Sequence, residues 1–370
     1  MPRRLLIIQP YVPQYRVELF DALYTSLSTI GVELNVLAPP PTGEMAHRAD
    51  QSVGHHWQIT AADRSIHLFG KSLSRTVHSR QLAAFDGVIV GLSGTSLDAH
   101  LSLLSKLRSS SGSPRVGLWG HVGSYVKEGH WADLLVERIQ MKLSDHIFAY
   151  TRTGAELAIN RGVSESRVTA LSNTVSTTGM LLELATLNST TVDQFRTQHA
   201  LKSNKTFAYV GGLDSAKRID LLRDALQIIW NEDREVKVLI GGTGRDEYLL
   251  DDAVSRGQAI KLGRVGDQEK ALIARCVKAM VIPGRIGLVA VEALALGTPI
   301  ISTRNQHHAP EIEYLQEGQS LHFANSEPDD LAALMLNFDG IGPLDPSSWK
   351  YPTLDAMVYN FSNGIDRMLS

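Results

Sequence analysis

The segment from Pro283 to Pro299 carries a glycine turn and a glutamate at a spacing suited to nucleotide chemistry. Apolar residues 279–282 read as a strand that ends at a proline, and a helical run follows the turn. The candidate donors are the backbone amides at the start of that helix, at Gly287, Leu288 and Val289. Amides at a helix start lack intrahelical partners and favour a phosphate. Glu292 can reach back and accept hydrogen bonds from two sugar hydroxyls. The alternative is an ordinary buried crossover with Glu292 at its solvated edge.

Two glycine pairs follow apolar strands earlier in the same half of the chain. Parallel α/β sheets place ligands at the carboxyl ends of their strands, so both turns are candidate ligand loops. The glycines are Gly211 and Gly212 after residues 206–210, and Gly242 and Gly244 after residues 236–240.

Three basic residues accompany these turns. The ammonium of Lys217, just ahead of a predicted helix, could neutralise a diphosphate, and Arg218 could offer a two-pronged guanidinium. Arg285 lies in the turn before Gly287. For each of the three the alternative is a solvated surface charge.

The first half of the chain offers a histidine and a loop. His121 follows Gly120 at the end of an apolar strand, where it could donate to a sugar hydroxyl or to charge developing on a departing group. Tyr15 and Arg16 follow the first strand, another predicted ligand position. A structural histidine and a solvated helix-start arginine are the alternatives.

The elements that must position these residues alternate in both halves of the chain. Short apolar strands and helical runs alternate over residues 5–38 and 87–171, with weak periodicity between them, and again over residues 206–282. This alternation predicts two doubly wound Rossmann-like α/β domains facing a cleft. The predicted boundaries are an N-terminal Rossmann-like domain at 1–180, a connection at 181–204, a C-terminal Rossmann-like domain at 205–345 and a tail helix at 346–370.

Composition narrows the function classes. A net charge of −3 argues against a dedicated nucleic-acid binder, and the single cysteine, Cys276, excludes an intramolecular disulfide and a cysteine-based zinc site. The adjacent pairs His55-His56 and His307-His308 do not suggest a metal site, and no Asp-x-Asp occurs. We therefore predict no metal and no cofactor. No apolar run reaches membrane-spanning length, so the prediction is a cytoplasmic protein, with contact at the inner membrane face left open.

Several motifs in one order resemble a known family. Pro283 to Pro299, followed by Ile300-Ile-Ser and His308-Ala-Pro-Glu311, resembles the signature of the family 4 glycosyltransferases, retaining enzymes of the two-domain GT-B fold. Further matches, in the family's order, are Pro13 to Phe20, Trp119-Gly-His121, Tyr209 to Leu213 with Lys217, and Ile240 to Gly244.

The resemblance implies a metal-independent, hexosyltransferase-type enzyme of polysaccharide biosynthesis. Its donor would be a UDP- or GDP-linked sugar and its acceptor a glycan, glycolipid or glycoside. It further implies that His121 touches the donor sugar, that the loop with Tyr15 and Arg16 faces the acceptor, and that the tail helix crosses back to the first domain.

Two departures from the family pattern lie in the donor site. Gly284 stands where the family has the first glutamate of Glu-x7-Glu, and Gly212 stands where it has an arginine beside the diphosphate. Either Arg285 and Arg218 partly compensate, which would suit a donor with an unusual or acidic sugar, or the activity is altered. These departures motivate one alternative, a catalytically silent nucleotide-sugar-binding subunit. The other alternative is a GT-B non-transferase, such as a nucleotide-sugar epimerase, which the element from Gly287 to Glu292 would serve equally well.

Overall fold

The structure is a computed structural model in which the chain forms two compact units. The first unit comprises Met1–Ser176 with Pro352–Ser370, and the second comprises Thr177–Tyr351. The residues described are 2–41, 46, 50–60, 66–68, 71–73, 79–94, 96–108, 113–123, 131–304, 307–340 and 345–370.

The first unit is built on a seven-stranded parallel sheet in the order β3-β2-β1-β6-β7-β8-β9. Apart from the edge strand β3, its strands are mostly apolar and buried, as expected of strands covered on both faces by crossover helices. A separate antiparallel pair, β4 with β5, lies outside this sheet. The strands are β1 Arg3–Ile8, β2 Val32–Ala38, β3 Gln58–Thr60, β4 Ile66–Leu68, β5 Lys71–Leu73, β6 Gly87–Gly91, β7 Arg115–Gly120, β8 His146–Ala149 and β9 Val168–Ala170. The helices are α1 Val17–Thr29, α2 Ser79–Leu82, α3 Leu97–Arg108, α4 Trp131–Leu143 and α5 Arg152–Asn160, with 3-10 turns at Gln14–Arg16 and Glu165–Arg167.

The second unit has a six-stranded parallel sheet in the order β12-β11-β10-β13-β14-β15. The chain runs outward from β10 through β11 to β12, then returns to the other side of β10 with β13, so the strand order reverses between β10 and β13. Its strands are β10 Thr206–Val210, β11 Lys237–Gly241, β12 Ala259–Gly263, β13 Met280–Ile282, β14 Ile300–Thr303 and β15 Leu321–Ala324. Its helices are α6 Thr178–Thr186, α7 Ser189–Gln198, α8 Ile219–Glu232, α9 Asp251–Ser255, α10 Asp267–Cys276, α11 Val289–Ala295 and α12 Pro328–Leu336. Its 3-10 turns are Ser215–Lys217, Glu247–Leu250, Pro310–Tyr314 and Pro346–Ser348.

The segment predicted as a connection, residues 181–204, contains most of α6 and all of α7. Met180, Leu184 and Val192 are buried in the core of the second unit, and α6 packs on α10. Met180 and Leu184 are four residues apart, so both lie on one face of α6. This apolar face attaches the otherwise polar segment to the core. The structure therefore groups this segment with the second unit.

The last helix, α13 Leu354–Leu369, belongs to the first unit and packs on α1. Its apolar stripe, which includes Met357, Phe361 and Ile365, is fully buried. The Phe361 ring lies 5.0 Å from the rings of Trp119 and Phe148. The return of the tail to the first domain, implied by the family resemblance, is thus seen in the packing. In the described ranges, no helix is long and apolar enough to cross a membrane.

Candidate functional site

The loops that follow β10 and β13 are bonded to each other where the strand order of the second sheet reverses. The amide of Gly284 donates to the carbonyl of Lys217 at 3.1 Å, and the amide of Arg285 donates to the carbonyl of Ala216 at 2.8 Å. The Lys217 ammonium donates to the Arg285 carbonyl at 2.6 Å. Because ligands of open α/β sheets bind outside the carboxyl ends of strands at such a reversal, this tied pair of loops is the candidate ligand site.

The glycine turns after β10 and β11 lie against each other. A Cβ atom on Gly242 would overlap the Gly211 carbonyl oxygen, and one on Gly244 would overlap the Leu213 carbonyl. Gly211 and Gly242 also have positive φ values, of 150° and 152°. The two loops are further joined by the Leu213 amide, which donates to the Thr243 carbonyl at 3.1 Å. Crowding within the protein therefore accounts for Gly242 and Gly244, and their predicted contact with a ligand stays a prediction.

Tyr209 holds the glycine turn after β10 in place. Its side chain is fully buried, and its hydroxyl donates to the Gly212 carbonyl at 2.5 Å. Burial, with a smaller contribution from the charge of Asp214, raises the pKa of the phenol well above its usual value. The hydroxyl therefore stays a donor over the physiological pH range. This residue was quoted in the sequence analysis only as part of a motif.

We expect Tyr209→Phe to lower the free energy of unfolding by about 1 kcal/mol, because the change leaves the Gly212 carbonyl without this donor. The measurement is urea denaturation of the variant beside wild type. Tyr248→Phe, at a tyrosine that is 65% exposed, is the matched control and should unfold like wild type. Equal stability of Tyr209→Phe and wild type would contradict the expectation.

Lys217 and Arg218 have different surroundings. Lys217 ends the 3-10 turn and is held against the Arg285 loop, whereas Arg218 adopts a left-handed conformation, with φ 54°, ahead of α8. The Arg218 guanidinium forms an ion pair with Asp220 at 3.0 Å. Burial alone would raise the pKa of Asp220, but the hydrogen bonds and charge of Arg218 lower it below its usual value. The fork of Arg218 thus already binds a carboxylate, and its predicted contact with a diphosphate stays a prediction.

His308 supports the loop after β13. Its Nδ1 accepts from the Ile286 amide at 3.2 Å, and its Nε2 lies 3.0 Å from the Thr303 carbonyl, to which it donates. The Thr303 hydroxyl donates to the Pro283 carbonyl at 2.6 Å. Burial, foremost, lowers the pKa of His308, which favours the neutral ring that can accept at Nδ1. From the sequence, this histidine was considered as part of a pair for a metal and as part of the family motif, and its support of this loop was not predicted.

The start of α11 is open around Gly287. The carbonyls of Gly287 and Leu288 accept the first helical bonds, from Ala290 and Val291, both at 2.9 Å. A Cβ atom on Gly287 would meet only Ala309, at 3.9 Å. Packing within the described chain therefore does not require glycine here. The predicted approach of a ligand to the amides of Gly287, Leu288 and Val289 stays a prediction.

Glu292 is paired with a residue that the sequence analysis missed. Because α11 begins at Val289, Glu292 lies in its first turn. Its Oε1 accepts from the ammonium of Lys270, on α10, at 2.7 Å, and both side chains are 18% exposed. Lys270 and Glu292 are 22 residues apart with β13 between them, so no local spacing signals the pair.

No group of three or more histidine, cysteine, aspartate or glutamate side chains that could hold a metal ion is found in the described part of the chain. The predicted absence of a metal from the reaction stays a prediction.

In the first unit, Arg16 and Tyr15 follow β1 but differ in exposure. Arg16 is 5% exposed, its guanidinium donates to Asn173 Oδ1 at 2.7 Å, and it lies over the Trp119 ring at 5.4 Å from the ring centre. Tyr15 is 45% exposed. Arg16 is therefore not the solvated arginine considered above; it joins the loop after β1 to the segment after β9. The predicted contacts of both residues with an acceptor stay predictions.

His121 lies just after β7, on the carboxyl edge of the first sheet. Its ring is 4.5 Å from the ring of Tyr150, which follows β8, in an edge-to-face arrangement. The Tyr150 amide donates to the Gly120 carbonyl at 3.1 Å, which fixes both residues on this edge. The position suits the predicted hydrogen bond to a sugar and does not test it.

Comparison with known proteins gives one family-model match, which lies in the second unit, and one similar protein sequence. Residues 204–338 match the family model described as "Glycosyl transferases group 1". That span contains all of the second-unit candidates, from Gly211 to Glu292. The phosphatidyl-myo-inositol mannosyltransferase of Mycobacterium leprae (strain TN) is 32% identical over 105 residues, which are 27% of this chain and 28% of the relative's length.

Solved structures match over nearly the whole chain. HepE of Anabaena, in complex with UDP and glucose, has a TM-score of 0.65 at 11% identity and covers 99% of this chain and 100% of its own. The UDP-GlcNAc 2-epimerase of Methanocaldococcus jannaschii has a TM-score of 0.55 at 12% identity, with 97% and 98% covered. At this identity the likeness concerns the fold. The predicted GT-B fold, with two parallel-sheet Rossmann-like domains, is confirmed.

Proposed function

We propose that the protein is a retaining glycosyltransferase that moves a hexosyl group from a UDP- or GDP-linked sugar to a glycan, glycolipid or glycoside, without a metal. The observation that carries the proposal is the Lys217 ammonium bound to the Arg285 carbonyl at the reversal of strand order, inside the span that matches the group 1 model. The mannosyltransferase name of the M. leprae relative and the UDP and glucose bound to HepE support the reaction class.

The chemistry needs groups that stabilise negative charge on a leaving diphosphate. A cation and amides held in place before the reaction do this at no reorganisation cost, and Lys217 with the amides at Gly287, Leu288 and Val289 are the proposed groups. Glu292 is proposed to accept hydrogen bonds from the ribose hydroxyls. An oxygen of the departing phosphate would assist attack by the acceptor on the same face of the sugar, so no protein nucleophile is required. Donor-sugar contact by His121 and acceptor contact by Tyr15 and Arg16 belong to the same proposal.

The two departures from the family pattern differ physically. A side chain at position 284 would collide with the backbone of Ala216 and Lys217. Glycine at this position therefore allows the two loops to approach each other, and a glutamate would not. Gly212 has room beside it, with Asp214 Oδ2 nearest at 3.5 Å from a Cβ. Arg285 follows Gly284 directly, so a donor with an acidic sugar belongs among the substrates to be tried.

The test is a donor panel. The protein is incubated with UDP- and GDP-linked neutral and acidic hexoses and a mixed acceptor set, and free UDP or GDP is followed. We expect release from one donor, reduced at least about tenfold in Glu292→Ala, because hydrogen bonds to an ionised group contribute roughly 1.5–3 kcal/mol. Glu235→Ala, at an exposed surface ion pair of the same unit, is the matched control and should release nucleotide like wild type.

The outcomes separate this proposal from its alternatives. Nucleotide binding without release from any donor would contradict a transferase and favour a silent binding subunit. Conversion of the sugar with no net nucleotide release would favour an epimerase, the second candidate, which the fold likeness to the M. jannaschii enzyme motivates. Release that is equal in wild type and Glu292→Ala would remove Glu292 from the donor site.

A further inference from the structure

We infer that Lys270 is a positioning residue that holds the Glu292 carboxylate in the orientation that binds the ribose of the nucleotide. The inference rests on the proposed function, since it assigns a partner to the ribose-binding group. Its basis is the 2.7 Å bond from the Lys270 ammonium to Glu292 Oε1, between two side chains that are each 18% exposed.

Lys270 is well anchored for such a task. It lies at the end of the first turn of α10, and the start of this helix is capped by the Gly266 amide, which donates to Glu269 Oε2 at 2.9 Å. The next residues, Ala271 to Ala274, are buried in the core of the second unit. Because the backbone beneath Lys270 is fixed by packing, its ammonium can restrict the Glu292 side chain instead of following it.

The pairing leaves the carboxylate able to bind a ligand. An ionised carboxylate has two oxygens and about four acceptor positions, and Lys270 takes one of them at Oε1. Two neighbouring hydroxyls can still donate to the group. Without the ammonium, a mostly covered carboxylate would turn toward water to regain solvation. The ion pair therefore restricts the orientation of the Glu292 carboxylate, which is the group proposed to bind the ribose.

If the ion pair between Lys270 and Glu292 were purely structural, a different result would be expected. Loss of such a pair lowers stability but leaves the relative affinity for two ligands that differ only in their ribose hydroxyls unchanged. Loss of a positioning residue lowers the preference for the ligand that has the hydroxyls. The ratio of two dissociation constants thus separates the two roles.

The experiment is calorimetric titration of the full chain with UDP and with 2′,3′-dideoxyuridine diphosphate, and with the corresponding guanosine pair. The variants are Lys270→Met, Lys270→Arg and Glu292→Gln. We expect Lys270→Met to reduce the preference for the ribose hydroxyls by about fivefold, the size typical of one ordered ion pair. Lys270→Arg should restore it to within about twofold of wild type, because arginine also donates to a carboxylate.

Two controls distinguish the effect of Lys270 on Glu292 from other effects of removing a lysine. Lys261→Met removes another lysine of the same unit, ion-paired with Asp251 at 2.9 Å, and should leave the ratio unchanged. Adding Lys270→Met to Glu292→Gln should change the ratio no further, because Lys270 acts through Glu292. If Lys270→Met does not fold, as judged by its thermal melt, Lys270→Arg and Lys270→Gln supply the comparison.

Three outcomes overturn the inference. The ratio is unchanged in Lys270→Met, or it changes again in the Glu292→Gln background, or wild type binds the ribo and dideoxy ligands equally. In each of these cases nucleotide binding itself survives, so the proposed transferase activity stands, although equal binding of the two ligands by wild type would also withdraw the ribose contact assigned to Glu292. Failure of wild type to bind either UDP or GDP would instead remove the proposed function, and the inference with it.

Discussion

Gly284→Glu is expected to destabilise the second unit by about 3 kcal/mol or more and to abolish nucleotide binding, although it introduces the glutamate of the family 4 pattern that the sequence resembles. A Cβ atom at this position would overlap the Ala216 carbonyl oxygen and lie 2.7 Å from Lys217 Cα. The backbone opposite cannot move aside easily. It holds the amides of Gly284 and Arg285, and the next residue, Arg218, is already in a left-handed conformation.

Urea denaturation and calorimetric titration with UDP measure this expectation. Gly284→Ala should lose nearly as much stability, because the Cβ atom rather than the charge causes the collision. Gly212→Arg introduces the arginine of the family pattern at the second departure and is the contrasting variant. Gly212 lacks a positive φ and has room, so its stability should stay within about 0.5 kcal/mol of wild type while UDP affinity rises. A Gly284→Glu protein that unfolds like wild type would show that the two loops separate readily.

Stability of the first unit is expected to fall by about 3 kcal/mol between pH 6.5 and pH 4 through His146 alone. This histidine is 1% exposed and its Nε2 lies 2.7 Å from the Thr169 hydroxyl. Burial, then the charges of Arg367 and Arg167, lower its pKa to about 4. The unfolded chain, with a pKa near 6.5, therefore takes up the proton first, so the contribution is complete above pH 6.5 and is lost as the pH falls toward 4.

The measurement is the free energy of unfolding at intervals from pH 4 to pH 7.5 for wild type and His146→Gln. Glutamine stays uncharged, so the difference between the two curves isolates the histidine from the carboxylates that titrate nearby in pH. The difference should change by about 3 kcal/mol across this range. A flat difference curve for His146→Gln would mean that the buried ring accepts a proton without penalty.

Much of the site could be predicted because it lies at strand ends. A short apolar run followed by glycine marks a strand and its turn, and parallel strands bring their carboxyl ends to one edge. Gly211, Lys217, Arg285 and Glu292 were placed in this way, and they lie in the segments that follow β10 and β13. This reasoning could not assign their partners, because a partner depends on which strands are neighbours.

The partners come from sequence-distant loops. Lys217 bonds to Arg285 across 68 residues, and Lys270 bonds to Glu292 across 22. His308 accepts from Ile286 across 22 residues. Arg16 shows the same limit in the first unit: its position at a helix start suggested solvent, whereas its burial follows from the packing of Asn173 and Trp119 around it.

The sequence by itself determined the alternation of strands and helices, the two doubly wound sheets and the strand-end glycines, since these follow from hydrophobic period and turn chemistry within a few residues. Only the tertiary structure decided why Gly284 must be glycine, which base accompanies Glu292 and which histidine holds the loop after β13. Those answers depend on the order of the strands in the sheet, which brings distant loops within hydrogen-bond distance and which no local pattern encodes.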